Sequence, residues 1–188
     1  MKTLTLIIAI LTLTLSASRK PYEMVCMNAE EAKLYKLIMD YRKGLGLYSI
    51  PISSKLTKVA QVHAKDLEEN HDPENGKCNL HSWSKKGNWS SCCYTPDHKE
   101  SECMWNKPKE IAGYQSHGYE ISYYSEAGAN ADQGITGWKK SKSHNEVMTN
   151  KGIWKDVKWN AIGIGIYKGY GVVWFGELED SEKPGKCK

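Results

Sequence analysis

An α+β fold, with helices packed on a central antiparallel sheet, is what the sequence predicts, and three observations predict it. Apolar residues recur at helical spacing through the first third of the chain. Two strand-like runs near the end, Ala161 to Tyr167 and Gly171 to Phe175, are joined by a turn containing Gly169, the pattern of a hairpin. Shorter helical stretches and a further alternating run lie between them, so helices must cover the sheet rather than form a separate bundle. At 188 residues the chain is long enough for one domain with a real core and crowded for two.

Taken in order, residues 1–18 carry Lys2, an apolar run from Leu4 to Leu15 and the small residues Ser16-Ala17-Ser18, which reads as a cleaved signal peptide. The run is too short to span a bilayer comfortably, and no second such run follows, so the mature chain is expected to be soluble. From Asn28 to Lys43, Ala32, Leu34, Tyr35, Leu37, Ile38 and Tyr41 make one helical face, and Gly44 is expected to stop it. After Pro51, Ser53 or Ser54 caps a second helix whose stripe is Leu56, Val59, Ala60, His63 and Leu67. His63 therefore faces the interior, where a lone histidine reads first as a hydrogen-bonded packing residue. Residues 71–109 have no period and read as a long, disulfide-held loop insert. Gly118 to Tyr124 alternates as a strand, and helical turns are expected from Gln133 to Lys140 and from His144 to Met148. In the hairpin, Ile162, Ile164 and Ile166 share one face, while Gly163 and Gly165 leave the other open to close backbone approach. Residues 177–188 read as a polar tail.

Composition excludes some functions. Hydrophobic residues at 40% and charged residues at 26% are those of an ordinary globular protein, without repeats or low-complexity tracts. With Lys2 removed the balance is about +3, too mild to argue for nucleic acid. Lys139, Lys140 and Lys142 form a small basic patch that reads as a solvated helix face. The six cysteines at 26, 78, 92, 93, 103 and 187 all follow the signal, and an even count in an exported chain reads as disulfides. Spacing does not fix their pairing. The working expectation joins Cys26 to Cys187 and lets the other four staple the insert; a zinc knuckle is the rival, with no CxxC pair to support it. Trp83, Trp89 and Trp105 fall in the insert, either plugging a small loop core or stacking on sugars or apolar ligands. Asn88-Trp89-Ser90 is a glycosylation sequon if the source is eukaryotic.

Three stretches carry the candidate chemistry: Asn79-Leu80-His81-Ser82, Gly118-Tyr119-Glu120-Ile121, and Gly137-Trp138 running through Ser141 to His144. With the closing Gly171-Val172-Val173-Trp174-Phe175-Gly176 they resemble the CAP superfamily, the SCP-like proteins that include cysteine-rich secretory proteins, venom antigens and pathogenesis-related proteins. The likeness runs over 29–176 and is nearest to bacterial-type members. It implies a three-layer α-β-α sandwich with an open cleft, where two histidines and two acidic residues converge and in some members bind a divalent metal. The resemblance assigns His81, Glu120 and His144 to that cleft as candidate metal ligands. The second acid is missing: the chain has Trp138-Lys139-Lys140-Ser141 where other members have a glutamate, Ser143 for a glycine, and Tyr119-Glu120-Ile121 for Gly-Glu-Asn.

Two imidazoles and a carboxylate are the smallest protein set for a catalytic Zn2+ or another divalent cation, and the same trio without metal is a base with its orienter. Alternatively Glu120 and His144 pair to stiffen the core. Glu146 stands close enough in sequence to supply the missing acid, although it reads first as a solvated helix residue. No serine or cysteine sits in a nucleophile pattern. The expected function is thus a secreted, monomeric, non-enzymatic binding module for an extracellular protein, lipid or polysaccharide; it would be periplasmic or on the cell surface in a Gram-negative source. The alternatives are a metal-assisted hydrolase acting on peptides and a stapled structural domain with a vestigial cleft.

Overall fold

The computed structural model describes residues 25–71 and 76–187, so the expected signal at 1–18 lies outside the described residues. A short strand β1 (Cys26–Met27) leads into helix α1 (Ala29–Gly44). Asn28 accepts the Glu31 N–H and Glu31 accepts the Asn28 N–H, a reciprocal cap that satisfies two donors at the helix start. Buried Glu31 also accepts the Ile166 N–H and the Gln61 amide, so one side chain starts the helix and fixes it to the sheet. The helix ends at Gly44, as expected, and the chain turns at Leu45 and Gly46. Helix α2 (Ser54–Asn70) is capped by Ser53, whose hydroxyl accepts the Leu56 N–H at 3.0 Å.

The insert departs from expectation. It holds two short helices, α3 (Ser101–Trp105) and α4 (Lys107–Ala112), too brief to leave a period in the sequence. Cys78–Cys93 and Cys92–Cys103 staple it, and Cys26–Cys187 joins the ends, as expected; with every cysteine bridged, the zinc-knuckle reading falls. Lys107, 1% exposed, donates to Glu110 and to the Ser90 carbonyl and so pins α4 to the loop.

Strand β2 (Gly118–Tyr124), helices α5 (Ala131–Lys140) and α6 (Lys142–Thr149), a 3-10 turn (Gly152–Trp154), and the hairpin β3 (Ala161–Tyr167) and β4 (Tyr170–Gly176) complete the body. The sheet order is β2-β4-β3, antiparallel throughout, with Glu120 opposite Trp174 and Trp174 opposite Gly163. Alternation then divides the core. Ile121, Ile162, Ile164, Val173 and Phe175 face α1, α5 and α6, whereas Val172 and Trp174 face α2 and the insert. Helices on both faces make the three-layer α-β-α sandwich. Each fully buried Leu or Ile in these layers contributes roughly 1.5–3 kcal/mol.

Two glycines set the spacing of one layer. A Cβ on Gly163 would lie 2.0 Å from the Leu56 backbone and one on Gly165 2.2 Å from the Ala60 backbone. Their absent side chains let α2 lie directly on β3. On the other face Arg42, fully buried, donates to the Met148 carbonyl at 2.6 Å and to Asn150 at 2.7 Å, riveting α1 to the end of α6. The expected polar tail is instead docked. Asp180 accepts from the Ser53 hydroxyl at 2.7 Å and the Lys55 N–H at 3.0 Å, and β5 (Gly185–Lys186) pairs in parallel with β1. Asp180 thereby adds a carboxylate to the α2 N-terminus, where the helix dipole favours one.

Candidate functional site

Three elements meet around Glu120. Period-two geometry turns Glu120 of β2 to the α2 face of the sheet, and the α2 stripe places His63 over it. His81 arrives from the insert, held by its own N–H donating to Asn79 at 3.0 Å. Glu120 Oε2 lies 2.5 Å from His63 Nδ1, and Oε1 lies 2.7 Å from His81 Nδ1. Both carboxylate oxygens are thus bound by imidazoles. The alternative pairing of Glu120 with His144 does not occur.

Hydrogen accounting assigns the rings. His63 Nε2 is 2.9 Å from the Ser82 carbonyl, which only accepts, so Nε2 carries a proton. Burial pushes the Glu120 carboxyl up, but the charge and hydrogen bond of His63 and those of His81 outweigh it and hold it below the usual carboxylate range. Glu120 is therefore an acceptor on both oxygens. His63 Nδ1 must then carry a proton as well, making His63 an imidazolium in a buried ion pair, with Trp83 stacked 4.0 Å from its ring at an interplanar angle of 7°. His81 donates through Nδ1, and its Nε2 has no protein partner among the described residues.

His81 lines a cleft of about 460 Å³. His144 of α6 lines it too; burial, then the neighbouring His81, hold its imidazole below the usual range. One wall runs through Trp105, Tyr119 and Trp154, with ring centroids 5.7 Å and 4.9 Å apart in sequence. Tyr94 and His98, whose hydroxyl and Nδ1 are 2.8 Å apart, also line the cleft. His98 sits at φ +58, a left-handed conformation rare outside glycine and typical of binding sites. Glu146 also lines the cleft, half-buried, its carboxylate with no hydrogen bond or ion pair among the described residues. Gly152 makes room for its carboxylate, since a Cβ there would meet Oε2 at 2.5 Å.

These positions bear on metal. Among the described residues no group of three or more His, Cys, Asp or Glu side chains is placed to hold a metal ion. In the trio expected to coordinate a metal, both Glu120 oxygens already hold imidazole nitrogens, one of His63 and one of His81. Its geometry suits a carboxylate that orients an imidazole.

His63 was legible as a buried, hydrogen-bonded residue but not as part of the site. Combining the α2 stripe with the parity of β2 is the signal that joins it to Glu120. The wall residues Tyr94, His98 and Trp154 carry no comparable signal. Trp83, of the insert aromatics, plugs the loop core, and Trp105 lines the cleft.

A disulfide-stapled α-β-α sandwich with a histidine and glutamate cleft at the sheet edge defines an SCP-like domain. Residues 35–175 match the cysteine-rich secretory protein family, CAP, and the chain belongs to it. No curated protein is detectably similar to the chain in sequence. Among solved structures it is similar to an extracellular SCP-domain protein of Bacillus anthracis, at 16% identity and TM-score 0.55, over 79% of this chain and 40% of that one. An outer surface protein of Borrelia burgdorferi shares 22% identity at TM-score 0.51, over 80% of this chain and 95% of that one. A cysteine-rich secretory protein of Staphylococcus aureus shares 17% at TM-score 0.52, over 85% and 41%. The chain thus spans about two fifths of the Bacillus and Staphylococcus proteins, and these likenesses establish the fold.

Proposed function

We propose that the chain is an extracellular, non-enzymatic binding module that takes its ligand in the cleft above His81 and His144. The observation that carries this reading is the commitment of Glu120: both its oxygens are bound by His63 and His81, so the acid is spent on structure. No serine, threonine or cysteine is hydrogen-bonded to His81 or His144 among the described residues, which leaves a hydrolase without an activated nucleophile. A cleft of about 460 Å³ with aromatic walls and a few polar groups is of ordinary ligand-site size. Three disulfides support an oxidising location, as does the extracellular or outer-surface setting of two of the similar structures.

Trp105 and Trp154 line the cleft and report its occupancy, so intrinsic fluorescence titration against an extracellular protein, lipid and polysaccharide panel tests the reading. Saturable change with at least one probe and no product from peptides or cell-wall material is expected. Cleavage that disappears in a His81→Ala, His144→Ala variant would replace this reading with a hydrolase.

A further inference from the structure

We infer that the ligand of this cleft is a chain of neutral pyranose sugars, a conclusion that rests on the cleft being the binding site. A pyranose has apolar C–H faces and an equatorial belt of hydroxyl donors and acceptors. The cleft offers the complement to both. Trp105, Tyr119 and Trp154 form a continuous aromatic wall, each ring half-buried and so partly open to the cavity. Aromatic rings stack on apolar faces while tolerating the polar rim around them.

The polar groups select against the other occupants. His81 presents an Nε2 with no protein partner among the described residues, since Nδ1 is spent on Glu120, and Glu146 presents a carboxylate with no partner among them either. The carboxylate accepts hydrogen bonds, and the imidazole nitrogen pairs with a hydroxyl as donor or acceptor. A hydroxyl-bearing ligand satisfies them, whereas an acyl chain laid over them would strip an unpaired carboxylate of water with nothing in return, which is costly. A protein partner of ordinary affinity needs a broad face rather than a concave cavity of about 460 Å³. Gly152 adds a second sign that the carboxylate is placed deliberately: at φ +57 it takes a backbone form that L side chains avoid, and a Cβ there would displace Glu146.

The test titrates cellohexaose and N-acetylchitohexaose into the disulfide-intact protein, with a long-chain fatty acid as the apolar probe, read by tryptophan fluorescence and by saturation-transfer NMR of the sugar. Saturable binding of a hexaose is expected. Trp154→Ala and Trp105→Ala each weaken it roughly tenfold, the worth of one ring contact, and the Phe variants recover most of it. Glu146→Gln weakens it without moving the melting temperature. Binding of the fatty acid alone, displaced by none of the sugars, overturns the sugar assignment and leaves the binding-module reading standing. Sugar binding unaffected by all three substitutions overturns the assignment of these walls. Hydrolysis of the hexaose that depends on His81 overturns the binding-module reading itself.

Discussion

Removing the charge of His63 is the perturbation that most directly probes the site. His63→Gln keeps one N–H for Glu120 but leaves that carboxylate, 7% exposed, without its buried cation. Charges about 4 Å apart at an effective dielectric of about 20 attract by about 4 kcal/mol, much of it offset by desolvation of the pair. Breaking such a pair from one side exposes the full penalty, about 3–5 kcal/mol. Urea unfolding at pH 7, followed by tryptophan fluorescence, should show a loss of that size for His63→Gln. The double variant with Glu120→Gln should cost less than the sum of the singles by about 2 kcal/mol or more.

The pH dependence has a definite sign. Glu120 titrates below its ordinary range in the folded chain, so its contribution is complete above about pH 4.5 and is lost as pH falls through the lower folded value. In His63→Gln the downward pull of His63 is gone, so below about pH 5, where imidazoles are ordinarily charged in folded and unfolded chains alike, the gap between variant and wild type narrows on further acidification. Glu31 runs the other way: burial raises its carboxyl despite bonds from Asn28, Ile166 and Gln61, so its contribution is present below about pH 4.5 and lost as pH rises. Glu31 is common to both proteins and cancels in the difference. A coupling below about 0.5 kcal/mol, or a gap unchanged between about pH 5 and pH 3, would refute the imidazolium assignment.

Other outcomes follow from the packing and the cleft. Gly163→Ala drives a methyl into the Leu56 backbone and should cost about 1–3 kcal/mol, read by thermal unfolding; a neutral result would mean α2 can lift off the sheet. Arg42→Met leaves the Met148 carbonyl and Asn150 without their donor and should destabilise by about 1–3 kcal/mol, with urea midpoints as the measure. Asp180→Ala removes the carboxylate beside the α2 cap and should cost about 1 kcal/mol, with faster amide exchange in the first turn of α2. Zinc added calorimetrically should bind wild type no more tightly than the His81→Ala, His144→Ala variant; tight binding lost with both imidazoles would restore the metal reading.

The elements most legible in the sequence were those whose order is periodic. The hairpin from Ala161 to Gly176 stands out as two apolar runs around a turn, and Gly163 and Gly165 left room for a helix or another backbone. Helices α1 and α2 were equally plain from their stripes. The insert was not, because its order comes from two disulfides, the buried Lys107 and the Trp83 stack, contacts between residues far apart and without spacing rules. Asp180 escaped for a similar reason: a charge in an acidic run looks solvated until its helix terminus is known. Within the site, His81, Glu120 and His144 were named by resemblance. The bond that organises them, His63 to Glu120, depends on how a helix lies across a strand. That relation belongs to tertiary structure, and a single stripe or a single strand does not contain it.

The junction of the two ends has a mechanical meaning. Cys26 and Cys187 have Cα atoms 4.9 Å apart, with β1 and β5 paired beside them, and everything from α1 to β4 lies inside the covalent loop they close. Tension applied to the chain on either side of this pair passes through the sulfur bridge and bypasses the enclosed domain. The sheet and its cleft would keep their shape under a pull that unzips an unbridged sandwich, until the bridge is reduced and the same force reaches the strands.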